Sequence, residues 1–416
     1  MSLSERVAAA VDGARQWQRL MDMAKLGAIA GDGVDRACLT PLDRDARRIV
    51  MRWAEEAGAT CSVDAAGNLW LRREGTDPAA APVLSGSHMD TQPQGGRFDG
   101  IYGVLAALEV MSALQDSGVT TRRPMEVVAW TNEEGSRFGP GCMGSMAWSG
   151  HSEIETFSDS TDAQGLRFGD ALAELLASEA DVPRRALGGT TPHAYIEAHI
   201  EQGPLLEREG LAIGAVTGIQ GSRWFVVTLT GDSAHAGTTP LRLRRDAMQA
   251  FVRVATALNT IMDDPDDVLR FTIGRLQVEP NSSNSVAGRV VFTIDLRHPD
   301  AAVLRARGDA ILGVIEAAAG DVTIDLRETF DAPPSVFDPD LVSMIEQAAT
   351  ALQVGCRRMP SGAFHDAQFV NRVCPSAMIF VPSHKGISHN PAEYSSPEQL
   401  ESGARVLAWT LMELAS

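Results

Sequence analysis

Three short stretches carry residues able to do chemistry: Gly86-Ser-His88-Met-Asp90, Asp99 within Gly95-Gly-Arg-Phe-Asp-Gly100, and Asn132-Glu133-Glu134-Gly135. A histidine and several acids, each at or beyond the end of an apolar run, are the parts of a metal site that activates water. His88 and Asp90 are two apart at a strand end and so share a side of the strand. A metal-bound imidazole usually donates its other N–H, and Asp90 is placed to receive it. His-x-Asp alone also fits an ordinary histidine in a polar turn, and Asp99 alone reads as a turn or helix-capping aspartate. Adjacent Glu133 and Glu134 raise each other's pKa unless something positive compensates. A divalent ion would do so, leaving one carboxylate to ligate and the other as general base; the residues do not say which.

Two further stretches repeat the pattern. His199 and Glu201 close the strand-like residues 194–200 and precede Gln202-Gly-Pro204. His389 lies in Gly386-Ile-Ser-His-Asn-Pro-Ala-Glu393, just past the strand-like residues 377–382. Three histidines and several acids at strand ends point jointly to a metal centre. Mixed imidazole and carboxylate ligands suit zinc and also admit manganese, cobalt or nickel. His235 sits accessibly in Gly231-Asp-Ser-Ala-His-Ala-Gly-Thr-Thr-Pro240, and His365 suits a pocket or supporting place as readily as a structural one. His384 reads as a loop residue, and His151, His193 and His298 read as structural.

The elements that must hold these residues follow from periodicity. Residues 43–57 and 101–114 have helical spacing, while 68–72, 83–87 and 125–131 read as strands. That alternation predicts an α/β sheet covered by helices, whose strand carboxyl ends face a ligand crevice. Strand-like 224–230, helix-like 244–262, strand-like 271–278 and 289–297, helix-like 301–319 and strand-like 322–328 spell β-α-β-β-α-β, the split βαβ or ferredoxin-like unit. The reading is therefore a catalytic domain of residues 1–215 and 330–416, with 216–329 inserted. The last strand and the helix-like 397–414 return to the first domain.

The chain has 416 residues and a net charge of −18. That charge argues against nucleic acid and anionic membrane surfaces as partners and favours a small-molecule substrate. Five scattered cysteines without a CxxC pair indicate free thiols. No leader-like or membrane-spanning apolar run is seen, so a cytoplasmic protein is expected.

The motifs Ser87-His-Met-Asp-Thr91, Gly96-Arg-Phe-Asp-Gly100, Asn132-Glu-Glu-Gly-Ser-Arg-Phe138, His199-Ile-Glu-Gln-Gly-Pro204, Ala234-His-Ala-Gly-Thr-Thr-Pro240 and Ser388-His-Asn-Pro-Ala-Glu393 span nearly the whole chain in order. Together they resemble the hydantoinase/carbamoylase family of amidases, a branch of the dinuclear zinc aminoacylase/carboxypeptidase superfamily. The resemblance implies two divalent ions bridged by Asp99, with His88 and His199 on one and Glu134 and His389 on the other. It implies Glu133 as base, with Gln202, His235, Asn284 and Arg297 contacting substrate and His235 aiding the oxyanion. It also implies that 216–329 is a lid and dimerisation domain, and that a homodimer lends His235 between chains. The implied reaction removes the carbamoyl group from an N-carbamoyl-L-amino acid, a substrate with a carboxylate and a carbamoyl amide. Allantoate or ureidoglycolate amidohydrolase activity is the alternative. A peptidase or aminoacylase is disfavoured because the peptidase relatives carry an acid where His199 stands. A catalytically silent binding protein is disfavoured because every implied ligand and the base are present.

Overall fold

The computed structural model describes all 416 residues. It divides into two compact units, Met1–Gly218 with Val336–Ser416, and Ile219–Ser335.

The first unit is built on a mixed nine-stranded sheet. Its centre is four neighbouring parallel strands, in the order Ser376–Val381, Ala194–Ile200, Val83–His88 and Met125–Trp130. Ile213–Ile219 pairs antiparallel on one side, and Leu69–Arg73 followed by Thr60–Val63 on the other. The central strands are buried along their whole length, Met125–Trp130 and Ser376–Val381 as mostly apolar runs and Val83–His88 through small residues before its histidine. Because they run the same way, their carboxyl ends deliver His88, Asn132–Glu134, His199 and the 382–389 loop to one edge of the sheet.

The helix Ile101–Ser117 is buried throughout residues 101–114, which suits a sequence apolar all round. Two glycines let it approach: a Cβ at Gly100 would lie 2.3 Å from the His88 ring, and one at Gly103 would lie 2.2 Å from the Ala198 carbonyl oxygen. The helix Pro41–Glu56 starts on the Thr40 cap with proline in its first turn, and Pro397–Ala415 starts on a Ser396–Gln399 capping box. No helix is long and apolar enough to cross a membrane. All five cysteines are free thiols.

The second unit is a four-stranded antiparallel sheet in the order Arg270–Glu279, Arg289–His298, Gly221–Thr230, Thr323–Ala332. With the helices Ala247–Ile261 and Ala301–Ala319 this is the ferredoxin-like arrangement. Strict alternation places Val290, Phe292, Ile294 and Leu296 in a core with Phe225, Val227 and Leu229. The unit begins and ends several residues later than the periodicity suggests. Its last strand runs on to Ala332 past an irregularity between Glu328 and Phe330, which breaks the apolar alternation without ending the pairing.

Candidate metal centre

His88 ends its strand, and its Nδ1 lies 3.0 Å from the main-chain oxygen of Asp90. His199 does the same one strand over, its Nδ1 lying 2.9 Å from the Ile200 oxygen. A carbonyl only accepts, so both rings carry a proton on Nδ1 and turn Nε2 inward. Both Nε2 atoms face Asp99: that of His199 is 3.2 Å and that of His88 is 3.8 Å from its Oδ1. On the other side, Nε2 of His389 is 3.3 Å from Asp99 Oδ2 and 3.6 Å from Glu134 Oε2. Two groups of potential ligands result, His88–Asp99–His199 and Asp99–Glu134–His389, each with donor atoms within 4.8 Å of one another and with Asp99 common to both.

Asp90 differs from the expectation in detail. The His88 ring uses the Asp90 carbonyl, while the carboxylate stands 3.6 Å away. The carboxylate instead accepts the amides of Glu133 and Glu134, at 3.3 and 3.2 Å, and so fixes the acid pair. Glu134 is further held by Gln92, whose side-chain amide donates to Oε2 at 2.7 Å and whose main-chain N–H donates to Oε1 at 3.2 Å. Glu133 is looser: Oε2 is 3.4 Å from His88 Nε2, and Oε1 faces the Cys142 thiol at 3.7 Å.

The electrostatics describe a site with surplus acid. Burial, with the charges of Asp366 and Glu134, pushes the Glu133 carboxyl well above the usual range; burial and Asp99 push Glu134 up to about 7. Burial also acts against the Asp99 charge, yet hydrogen bonds from His199 and His389 hold its carboxyl well below the ordinary value. The bond to Asp99 raises His389 to about 9. Divalent ions in the two groups would supply the positive charge these acids demand. Imidazoles oriented by carbonyl-bound Nδ1–H, which offer Nε2 to an ion once its proton is displaced, fit such ions with a shared carboxylate between them.

Gln202 stands against this cluster, at a φ of +56°, with its Nε2 donating to Asp99 Oδ2 at 2.9 Å. Its Oε1 is buried without a partner. Within residues 219–335, the two-residue strands Ala234–His235 and Ser285–Val286 pair, bringing Asn284 beside His235. The His235 Nδ1 accepts the amides of Gly237 and Thr238 at 3.1 and 3.2 Å, so its proton is on Nε2. Arg297 donates to Asp295, the two Nε contacts being 3.1 and 3.2 Å and the Nη2 contact 2.8 Å.

Several supporting residues have little local signature. Glu197, in mid-strand, accepts from the Ser87 hydroxyl at 2.7 Å, the Tyr195 hydroxyl at 2.9 Å and the Ala367 amide at 3.1 Å. These contacts occupy it, so Glu197, His199 and His365, though close enough to hold an ion, form a packed layer under the site. His365 lies edge-on to His199 at 4.5 Å, and burial keeps it neutral. The Ser361 hydroxyl donates to the Ala363 carbonyl and accepts from His365 Nε2 at 3.0 Å. The available signal was an acid inside the apolar run 194–200. His384, expected as a loop residue, opens the short 3₁₀ turn His384–Gly386 and is bonded to Glu207 at 2.7 Å.

Residues 84–413 match the peptidase family M20/M25/M40, and the chain belongs to that family, whose enzymes use divalent metal ions. Within it the chain is an amidase of the hydantoinase/carbamoylase family. An amidase of that family from Burkholderia multivorans superimposes with a TM-score of 0.92 at 46% identity, covering 97% of this chain and 98% of its own. The N-carbamoyl-L-amino-acid amidohydrolase of Rhizobium meliloti is 40% identical over 415 residues, 97% of each chain. The allantoate amidohydrolase of Escherichia coli is 36% identical over 398 residues, 94% of this chain and 96% of its own. The chain is thus a hydrolase of carbon–nitrogen bonds outside peptides.

Proposed function

We propose that this enzyme hydrolyses N-carbamoyl-L-amino acids, breaking the bond between the carbamoyl carbon and the amino-acid nitrogen. One water is consumed, and the carbamate formed breaks down to ammonia and carbon dioxide. The observation that carries the reading is the pair of ligand groups sharing Asp99, with the loosely held Glu133 beside it. Two divalent ions, zinc or another of the metals these ligands admit, would polarise the ureido carbonyl and make water more acidic.

The chain's own residues divide the remaining work. Glu133 takes the proton of the attacking water and returns it to the leaving nitrogen. His235, with its proton on Nε2, donates to the developing oxyanion. The orphan Oε1 of Gln202 suits a ureido N–H, and Asn284 lies beside His235 to bind the same group. Residues 219–335 serve as lid and dimerisation domain.

Arg297 is the reader of the substrate carboxylate: a planar fork already aligned by Asp295 suits bidentate binding. Arg297→Ala should cost about 2–5 kcal/mol of transition-state binding, roughly 30- to 4,000-fold in kcat/KM. Arg297→Lys, which keeps the charge but lacks the fork, should recover little. The readout is an N-carbamoyl amino acid against its carboxamide analogue. An acid preference equal in wild type and Arg297→Ala would remove this role from Arg297.

Allantoate is the competing substrate, since a relative of similar identity bears that name. A kcat/KM panel of N-carbamoyl-L-amino acids, N-carbamoyl-β-alanine, allantoate and ureidoglycolate with the metal-reconstituted enzyme decides it. Preference for either of the last two would overturn the proposal.

A further inference from the structure

We propose that Glu393 is a positioning residue that draws the Ser388 proton away from Asp99 and so keeps Asp99 Oδ2 available to the ion on the Glu134–His389 side. This rests on the reading of Asp99 as the ligand common to both ions.

Glu393 is 1% exposed. Its Oε1 accepts two successive amides, Phe98 at 3.0 Å and Asp99 at 3.1 Å, and so holds the turn that carries Asp99. Its Oε2 accepts the Ser388 hydroxyl at 3.0 Å, next to His389. The same hydroxyl lies 3.3 Å from Asp99 Oδ2 and receives the Gln202 amide at 3.2 Å. A serine hydroxyl has one proton to give, so two carboxylates compete for it, and Glu393 has the shorter contact. Placing a second buried carboxylate so near Asp99 is costly, and the backbone is shaped for it. A Cβ at Gly96 would lie 2.0 Å from Glu393 Oε1 and 2.1 Å from its Cδ. Tyr394 then packs edge-on against Phe98 at 6.2 Å, closing the loop over the turn.

A glutamine in place of Glu393 separates this role from packing. Its oxygen still accepts the two amides, but its NH2 donates to Ser388, whose proton must then turn to Asp99 Oδ2. That oxygen already accepts the Gln202 amide at 2.9 Å, so a second donor would take the remaining lone pair that the ion needs. Glu393→Gln should therefore release its second metal equivalent to a chelator about 10- to 100-fold faster than wild type, the usual range for a residue that supports a ligand. Adding Ser388→Ala removes the offending proton and should return release to near the wild-type rate, while Ser388→Ala alone changes little. The measurement is metal stoichiometry by elemental analysis with a chelator time course, needing no turnover. Gly96→Ala, whose Cβ would push the Glu393 carboxylate off the two amides as well as Ser388, is the second route and should lose the same metal equivalent, whether or not Glu393→Gln folds. Normal retention in either variant, or a loss in Glu393→Gln that Ser388→Ala fails to repair, overturns the proposal. Asp99→Asn is the control for the underlying reading: it should lose both ions, and if it retains both, the ligand assignment fails and the proposal falls with it.

Discussion

Glu133→Gln is expected to arrive with its metals in place and a kcat at least about 100-fold lower, the lower range for loss of a general base. Glu134→Gln is expected to arrive metal-depleted. The two acids are adjacent and share the Asp90 carboxylate through their amides, so their backbones are equally constrained. Their side chains are not. Both oxygens of Glu134 are gripped by Gln92 within 3.6 Å of His389, as a ligand held in one orientation should be. The Glu133 side chain faces His88 and a thiol, a weak donor that leaves it able to pick up and hand on a proton. Elemental analysis of both proteins with single-turnover rates separates the roles. A Glu133→Gln protein that lacks metal and regains activity when metal is added in excess would exchange the two assignments.

The positions of His88, Glu133, Glu134, His199 and His389 were legible because each sits at or just beyond a strand end, and strand ends follow from short apolar runs closed by polar residues. What lies around them was legible only in part. The Asp90 carboxylate was expected on His88, its neighbour along the strand. The turn after His88 brings the Asp90 carbonyl to the ring, and the carboxylate reaches amides some forty residues away. No local pattern encodes that choice. Glu197 shows the same limit: it is satisfied from three segments, Ser87, Tyr195 and Ala367, and only the folded sheet brings these together. Glu393 stood inside a recognised motif with Ser388, but the Phe98 and Asp99 amides it also holds are almost three hundred residues earlier. The domain boundary was displaced because the strand Thr323–Ala332 continues through an irregularity that hides its period of two. The pairing of Ala234–His235 with Ser285–Val286 was hidden too, since two-residue strands in glycine- and serine-rich loops have no periodicity to read.

An equal mixture of inactive Glu133→Gln and His235→Ala chains, unfolded and refolded together, is expected to regain about a quarter of wild-type activity per site if a closed two-fold dimer shares His235 between chains. Random pairing makes about half the dimers mixed. In each mixed dimer one site holds both lesions, and the other joins Glu133 of one chain to His235 of its neighbour. The motivation lies in the second unit. His235 is exposed, and its ring is fixed as an Nε2 donor by two main-chain amides, a preorganisation its own loop does not use. The same unit exposes Leu241 at 81%, Leu243 at 69%, Leu276 at 42% and Trp224 at 38%, apolar surface that a second copy would cover. A donor to the oxyanion is worth about 10²–10³ in kcat, so each parent starts from a low background and a quarter of full activity stands clear of it. Subunit exchange must be verified independently, by mass-tagging one parent and counting mixed dimers. Verified exchange with no activity above the two parents would mean that His235 serves its own chain or takes no part in the reaction, and the dimer would then be no condition for catalysis.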